Sequence, residues 1–141
     1  MGHDVLTTIE LDAPISEVWA VLEDVHSWEE WSRIFRFSRA TVEPGGAGLL
    51  WARVGPAAIP LRVKFQVIDN ESELRWTGGI GGVLHGSHFL KLEVIDENRT
   101  RLIHGETFDG VIISASWKLL AGQLPAAYKA FNKELRRKLA G

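Results

Sequence analysis

The sequence predicts an α+β domain in which a curved antiparallel sheet of about seven strands lies on one long C-terminal helix. Three observations carry that expectation. Residues 36–108 alternate apolar and polar side chains between turn signals, the pattern of half-buried strands. Residues 117–139 instead carry an apolar stripe, Trp117, Leu120, Leu124, Tyr128, Phe131, Leu135 and Leu139, that steps by three and four. The length of 141 residues suits a single domain, 1–141, and is too short for two. A sheet and a helix with one apolar face each can hide both faces against one another.

Residues 5–11 form the first expected strand, ended by Asp12-Ala13-Pro14. Pro14 suits a helix start, where its missing N–H costs nothing. Ile15, Val18, Trp19 and Leu22 then recur at helical spacing with Ser16, Glu17 and Glu23 opposite, which gives a short amphipathic helix with Trp19 in the core. A second short helical turn is expected over 26–31, with Ser27 as its N-cap. Strands 36–43 and 49–55 flank the turn Glu43-Pro44-Gly45-Gly46-Ala47-Gly48, which precedes a strand and lacks the Lys-Ser/Thr of a phosphate loop. Leu61, Val63, Phe65 and Val67 alternate with Arg62, Lys64 and Gln66, and Leu74–Thr77 follow after a turn at 69–73. Turning both apolar faces inward across that even-length connection demands a bulge or a local switch of face.

Residues 78–86 hold five of the 14 glycines and are expected to form a mobile loop. Strands 87–96 and 99–108 come next, with His88, Leu90, Leu92 and Val94 on one face and Leu102, His104, Glu106 and Phe108 on the other strand's matching face. A three-residue hairpin loop would set Val94 opposite Leu102, Leu92 opposite His104, Leu90 opposite Glu106 and His88 opposite Phe108. Gly122 and Pro125 interrupt the helical stripe, so a kink or break is expected near 122–125.

Composition narrows the function classes. Sixteen Lys+Arg against 18 Asp+Glu leave a net charge of −2, too acidic overall for a nucleic-acid partner. Residues 129–141 carry five cations and one carboxylate, which a helix C-terminus favours; contact with an anionic membrane surface is the alternative use. The absence of cysteine rules out disulfides and Cys-based zinc sites. No apolar run approaches the roughly 18 residues of a membrane span, and residues 1–5 lack a signal-peptide pattern, so a cytoplasmic domain is expected. Nothing in the sequence sets an oligomeric state. Six tryptophans in so small a domain fill a core or line a cavity.

The chain resembles the START-like helix-grip superfamily (SRPBCC, polyketide cyclase/dehydrase and lipid transport) over nearly its whole length. The resemblance rests on Ile9-Glu10-Leu11-Asp12-Ala13-Pro14 running into Glu17-Val18-Trp19-Ala20-Val21-Leu22, and on Trp28-Glu29-Glu30-Trp31 and Leu74-Arg75-Trp76. It continues in Thr100–Gly110 and in Phe131-Asn132-Lys133-Glu134-Leu135. These motifs mark the fold rather than an activity. The resemblance implies a deep cavity between sheet and long helix, in a family of lipid carriers, hormone receptors, cyclases and hydrolase-activator domains.

The polar residues expected to point into that cavity are His88, His104 and Glu106. His88 and Glu106 would be diagonal neighbours, roughly 7 Å apart at the backbone. Such a pair could act as acid and base on a carbonyl substrate, or could simply satisfy one another and fix the sheet. His85-x-x-His88 with His104 and Glu106 matches no zinc spacing, and neither metal nor cofactor is expected. No Gly-x-Ser-x-Gly occurs, and Ser114 and Ser116 suit the start of a helix. The expected ligand contacts are Trp28, Trp31, Phe35, Phe65, Trp76, His88, Leu90, His104, Glu106, Phe108, Trp117, Leu120, Leu124 and Tyr128. The leading expectation is a module that binds or transfers a hydrophobic or aromatic small molecule of the lipid, polyketide or isoprenoid class. The alternative is a metal-independent cyclase or dehydratase using His88, His104 and Glu106. A third class, a regulatory or chaperone domain acting through a partner protein, would show an exposed apolar patch.

Overall fold

The computed structural model describes residues 3–80 and 84–141, and the side chains of all of these except 80, 84 and 111–120. Strand β1 (His3–Leu11) leads into helix α1 (Ile15–Glu23) and a 3-10 helix (Val25–Glu30). Six strands follow: β2 (Phe35–Ala40), β3 (Ala47–Val54), β4 (Ala57–Asp69), β5 (Glu73–Ile80), β6 (Leu84–Asp96) and β7 (Arg99–Asp109). Helix α2 (Val111–Ala140) closes the chain. All neighbours in the seven-stranded sheet are antiparallel, in the order β1-β7-β6-β5-β4-β3-β2. From β2 to β7 each strand pairs with the next one in sequence, and only β1 crosses over. The expected architecture is present.

Several local expectations change. Asp24, not Ser27, stands at the N-cap of the 3-10 helix, and the Ser27 N–H donates to its carbonyl. The helix begins earlier because Val25 and Trp28 are both fully buried and anchor its inner side. The expected bulge lies within β4, between Phe65 and Val67, and lets Phe65 and Trp76 face inward together. Residues 78–80 and 84–86 are strand rather than loop, with Gly78 opposite Gly86 and Gly79 opposite His85, while 81–83 fall outside the described residues. Glycine is needed here for room: a Cβ on Gly86 would collide with the Glu106 carboxylate.

The β6–β7 register is shifted by two residues from the one expected. His88 faces Glu106, Leu90 faces His104, Leu92 faces Leu102 and Val94 faces Thr100, with a bulge between Val94 and Asp96. The cause is the Asp96 carboxylate, which accepts from Asn98 N at 2.9 Å and Arg99 Nε at 2.8 Å and closes a tighter turn than the three-residue loop. Val94 keeps its face but is 62% exposed, at an end of the sheet left uncovered.

Helix α2 runs unbroken from Val111 to Ala140 with Pro125 inside it, so the break expected near 122–125 does not occur. One proline removes one backbone hydrogen bond, while the stripe Leu124, Tyr128, Phe131 and Leu135 is buried and keeps the segment helical against the sheet. Opposite that stripe the inward face of the sheet is built in rows. One row is Phe65, Trp76, His88, Glu106 and Val5; the next holds Leu74, Leu90, His104 and Thr7. Trp28 sits over them, its ring 5.0–6.0 Å from those of Phe131, Phe37, Trp31 and Trp76. Its indole N–H donates to Leu22 O at 3.1 Å. Among the described residues no helix is long and apolar enough to cross a membrane.

Candidate functional site

A chain of polar side chains runs through this aromatic interior. Alternation along β6 and β7 turns His88, His104 and Glu106 inward, and the observed register sets His88 directly across from Glu106. Tyr128 and Asn132, four residues apart, reach down from one face of α2. Thr7 reaches in from β1. The Tyr128 hydroxyl donates to Glu106 Oε1, which also lies 2.7 Å from His88 Nδ1. His88 Nε2 and His104 Nε2 are 2.6 Å apart, and His104 Nδ1 is 2.8 Å from Asn132 Oδ1. Asn132 Nδ2 donates to Thr7 Oγ1 at 2.9 Å, and Thr7 Oγ1 donates to the His104 main-chain oxygen at 2.8 Å.

The direction of this chain follows from its far end. A main-chain oxygen only accepts, so the Thr7 hydroxyl spends its proton there and must accept from Asn132. That fixes the Asn132 amide with Oδ1 toward His104, and His104 Nδ1 therefore carries a proton. Burial, and then the charge on His88, hold the His104 imidazole well below its usual range, so its Nε2 is the acceptor and His88 Nε2 the donor. Burial and the adjacent Glu106 carboxylate push the Tyr128 phenol well above its usual range, which keeps it a donor.

Aromatic rings pin the group in place. Trp76 stacks on His88 at 4.4 Å and Tyr128 stacks on His104 at 4.7 Å, while Phe35 meets His88 edge-on at 5.2 Å. Phe35 is held by a second buried link. Glu134 on α2 accepts from Ser32 Oγ at 2.7 Å and from Arg33 N at 2.8 Å, and Ser32 Oγ accepts from Ile34 N and Phe35 N.

The residues expected to meet a ligand divide by burial. Trp28, Phe65 and Trp76 are at most 2% exposed and their rings pack on one another through Trp76, and Leu90 is fully buried. Phe35, His88, His104 and Tyr128 are buried within the polar chain and its packing. Trp31 is half-buried at the edge, its ring 5.2 Å from Phe131. Glu106 keeps 13% of its side-chain surface exposed and takes both of its hydrogen bonds from described residues on Oε1. Phe108 and Leu124 are buried less completely than those rings, at 8% and 6%. The side chains of Trp117 and Leu120, like those of Ser114 and Ser116, lie outside the described residues.

Both ring nitrogens of His88 are engaged, and His85, on the opposite face of β6, lies 3.9 Å from Asp109. Among the described residues no group of three His, Cys, Asp or Glu side chains could hold a metal ion. Thr7 and Asn132 escaped the sequence reading. The available signals were the alternation Val5, Thr7, Ile9 and the four-residue step from Tyr128 to Asn132.

A curved antiparallel sheet gripping one long C-terminal helix defines a helix-grip protein. Residues 2–140 match the family described as polyketide cyclase/dehydrase and lipid transport, and the chain belongs to that family. The ZhuI aromatase/cyclase from Streptomyces sp. R1128 superposes with a TM-score of 0.80 at 15% identity, covering 99% of this chain and 94% of that one. A START superfamily protein from Mycobacterium smegmatis superposes at 0.75 and 12% identity, covering 98% and 97%. A point mutant of norcoclaurine synthase from Thalictrum flavum, in complex with a transition-state analogue, gives 0.70 at 12% identity, covering 98% and 96%. At such identities the likeness concerns the fold. No curated protein sequence matches the chain significantly.

Proposed function

We propose that the protein binds a hydrophobic small molecule beside Glu106, Phe108 and Leu124, with the Glu106 carboxylate as its polar anchor. One observation carries this reading. The buried polar chain ends at a carboxylate whose Oε1 is held by Tyr128 and His88, while Oε2 takes no hydrogen bond from the described residues. A mostly apolar surface with one oriented polar group suits a ligand that is greasy over most of its area. The family's description, which includes lipid transport, supports the same class of ligand.

The same carboxylate supports a second reading, acid–base chemistry on the bound molecule. Oε2 would take a proton from carbon next to a carbonyl, and the donors fixed on Oε1 would orient it. The aromatase/cyclase among the structural neighbours supports that reading at the level of fold.

The binding reading is tested by titrating the protein with the neutral fluorescent probe N-phenyl-1-naphthylamine. Saturable uptake of about one probe per chain with quenched tryptophan emission is expected. No saturable uptake, together with no co-purified small molecule in native mass spectrometry, would refute it. A Glu106→Gln variant that binds the probe normally but loses turnover of a β-keto substrate would favour the second reading.

A further inference from the structure

The charge of the Glu106 anchor can be counted from its hydrogen bonds, and the count bears on what it binds. Four bridges join Tyr128 to Glu106, Glu106 to His88, His88 to His104 and His104 to Asn132. Each bridge holds one proton. Stripped of protons, Tyr128, Glu106, His88 and His104 would bear four negative charges; four bridging protons cancel them. The group is neutral whichever partner holds each proton. Thr7 protects this count, because it fixes the Asn132 amide with its oxygen toward His104. A flipped amide would supply the last bridge from its own NH₂ and leave the network one proton short, with a net negative charge. The ion pair of His85 with Asp109, also at this end, is more than half exposed on the opposite face and is screened by water.

We infer that the site selects ligands carrying an uncharged hydroxyl or phenol donor and discriminates against ammonium and carboxylate groups. This rests on the ligand-binding reading. A hydroxyl donates to Glu106 Oε2 in a charge-assisted bond and brings no charge into the apolar interior. An ammonium group gains little there, since the proton shared with His88 offsets the carboxylate while the cost of desolvating the cation remains. A carboxylate would meet Oε2 with no proton between them.

Four probes on one ring system test the inference at pH 7.5: naphthalene, 2-naphthol, 2-naphthylmethylammonium and 2-naphthoate. The expected result is 2-naphthol bound about tenfold more tightly than naphthalene, the ammonium no tighter than naphthalene and the naphthoate weaker. In Glu106→Gln the advantage of 2-naphthol should shrink towards unity. Tightest binding of the ammonium would overturn the neutral anchor and leave the binding reading standing. Failure of all four probes would overturn both. Nitrogen-15 NMR of the wild-type protein decides the proton count without any ligand. A protonated Nδ1 on His104 and a protonated Nε2 on His88 are expected, and an unprotonated His104 Nδ1 would overturn the inference even if probes bind.

Discussion

Acidification should unfold this protein through His104. That imidazole is fully buried, enclosed by His88, Asn132, Tyr128, Phe35 and Phe131, and no carboxylate bonds to it directly; Glu106 reaches it only through His88. Burial lowers its proton affinity most, the charge on His88 lowers it further, and the Asn132 bond offsets only part of this. An unfolded histidine takes up its proton near pH 6.5, and the folded one does so only well below that. Between the two values the unfolded chain binds one proton more, so stability is full above about pH 6.5 and is lost as the pH falls. One proton corresponds to about 1.4 kcal/mol per pH unit, hence about 2 kcal/mol between pH 6.5 and 5.0. Urea unfolding followed by tryptophan fluorescence, at half-unit pH steps on wild type and His104→Gln, measures the difference. Contributions from groups distant from His104 are common to both proteins and cancel in the difference. The gap in stability between the two should narrow by about 2 kcal/mol over that range. Parallel curves would show that His104 takes its proton as readily in the fold as in the unfolded chain, and the direction assigned to the polar chain would fall with it.

Alternation along β4, β6 and β7 and the stripe of α2 were enough to read the fold and to turn His88, His104 and Glu106 inward. The β6–β7 register was not legible, and the reason is parity. A shift by two residues leaves every side chain on its own face, so alternation is blind to it. What selects the register is the Asp96 carboxylate gripping Asn98 and Arg99, a local hydrogen-bond detail. Glycine counting misread 78–80 and 84–86 as loop, because composition does not show that a neighbouring carboxylate needs the space over Gly86. The far half of the polar chain was partly legible: Tyr128 and Asn132 share a helix face, and Thr7 alternates with Val5 and Ile9. That these should meet His104 depends on which row of the sheet lies under which turn of α2. Their bonds span 125 residues between Asn132 and Thr7 and 97 between Thr7 and His104, and no local pattern encodes them.

Two substitutions test the packing around the site. Glu134→Ala removes two charge-assisted bonds and leaves the buried Ser32 hydroxyl and the Arg33 N–H unpaired, so a loss of about 3 kcal/mol in urea unfolding is expected; a loss below about 0.5 kcal/mol would show that the link is solvated. Gly86→Ala is the sharper test, because two effects predict opposite signs. Gly86 has no positive φ, so by backbone entropy alone alanine should stabilise by about 0.4–1 kcal/mol. Its new Cβ, however, would collide with the Glu106 carboxylate, and pushing that group aside strains the bonds to Tyr128 and His88. Overpacking of this kind costs about 1–3 kcal/mol, so net destabilisation is expected. The Glu106→Ala background removes the obstacle, and there Gly86→Ala should become neutral or stabilising, a coupling that a double-mutant cycle reads directly. If Gly86→Ala stabilises the wild-type protein, the Glu106 carboxylate does not lie over the Gly86 backbone, and glycine is not needed there for room.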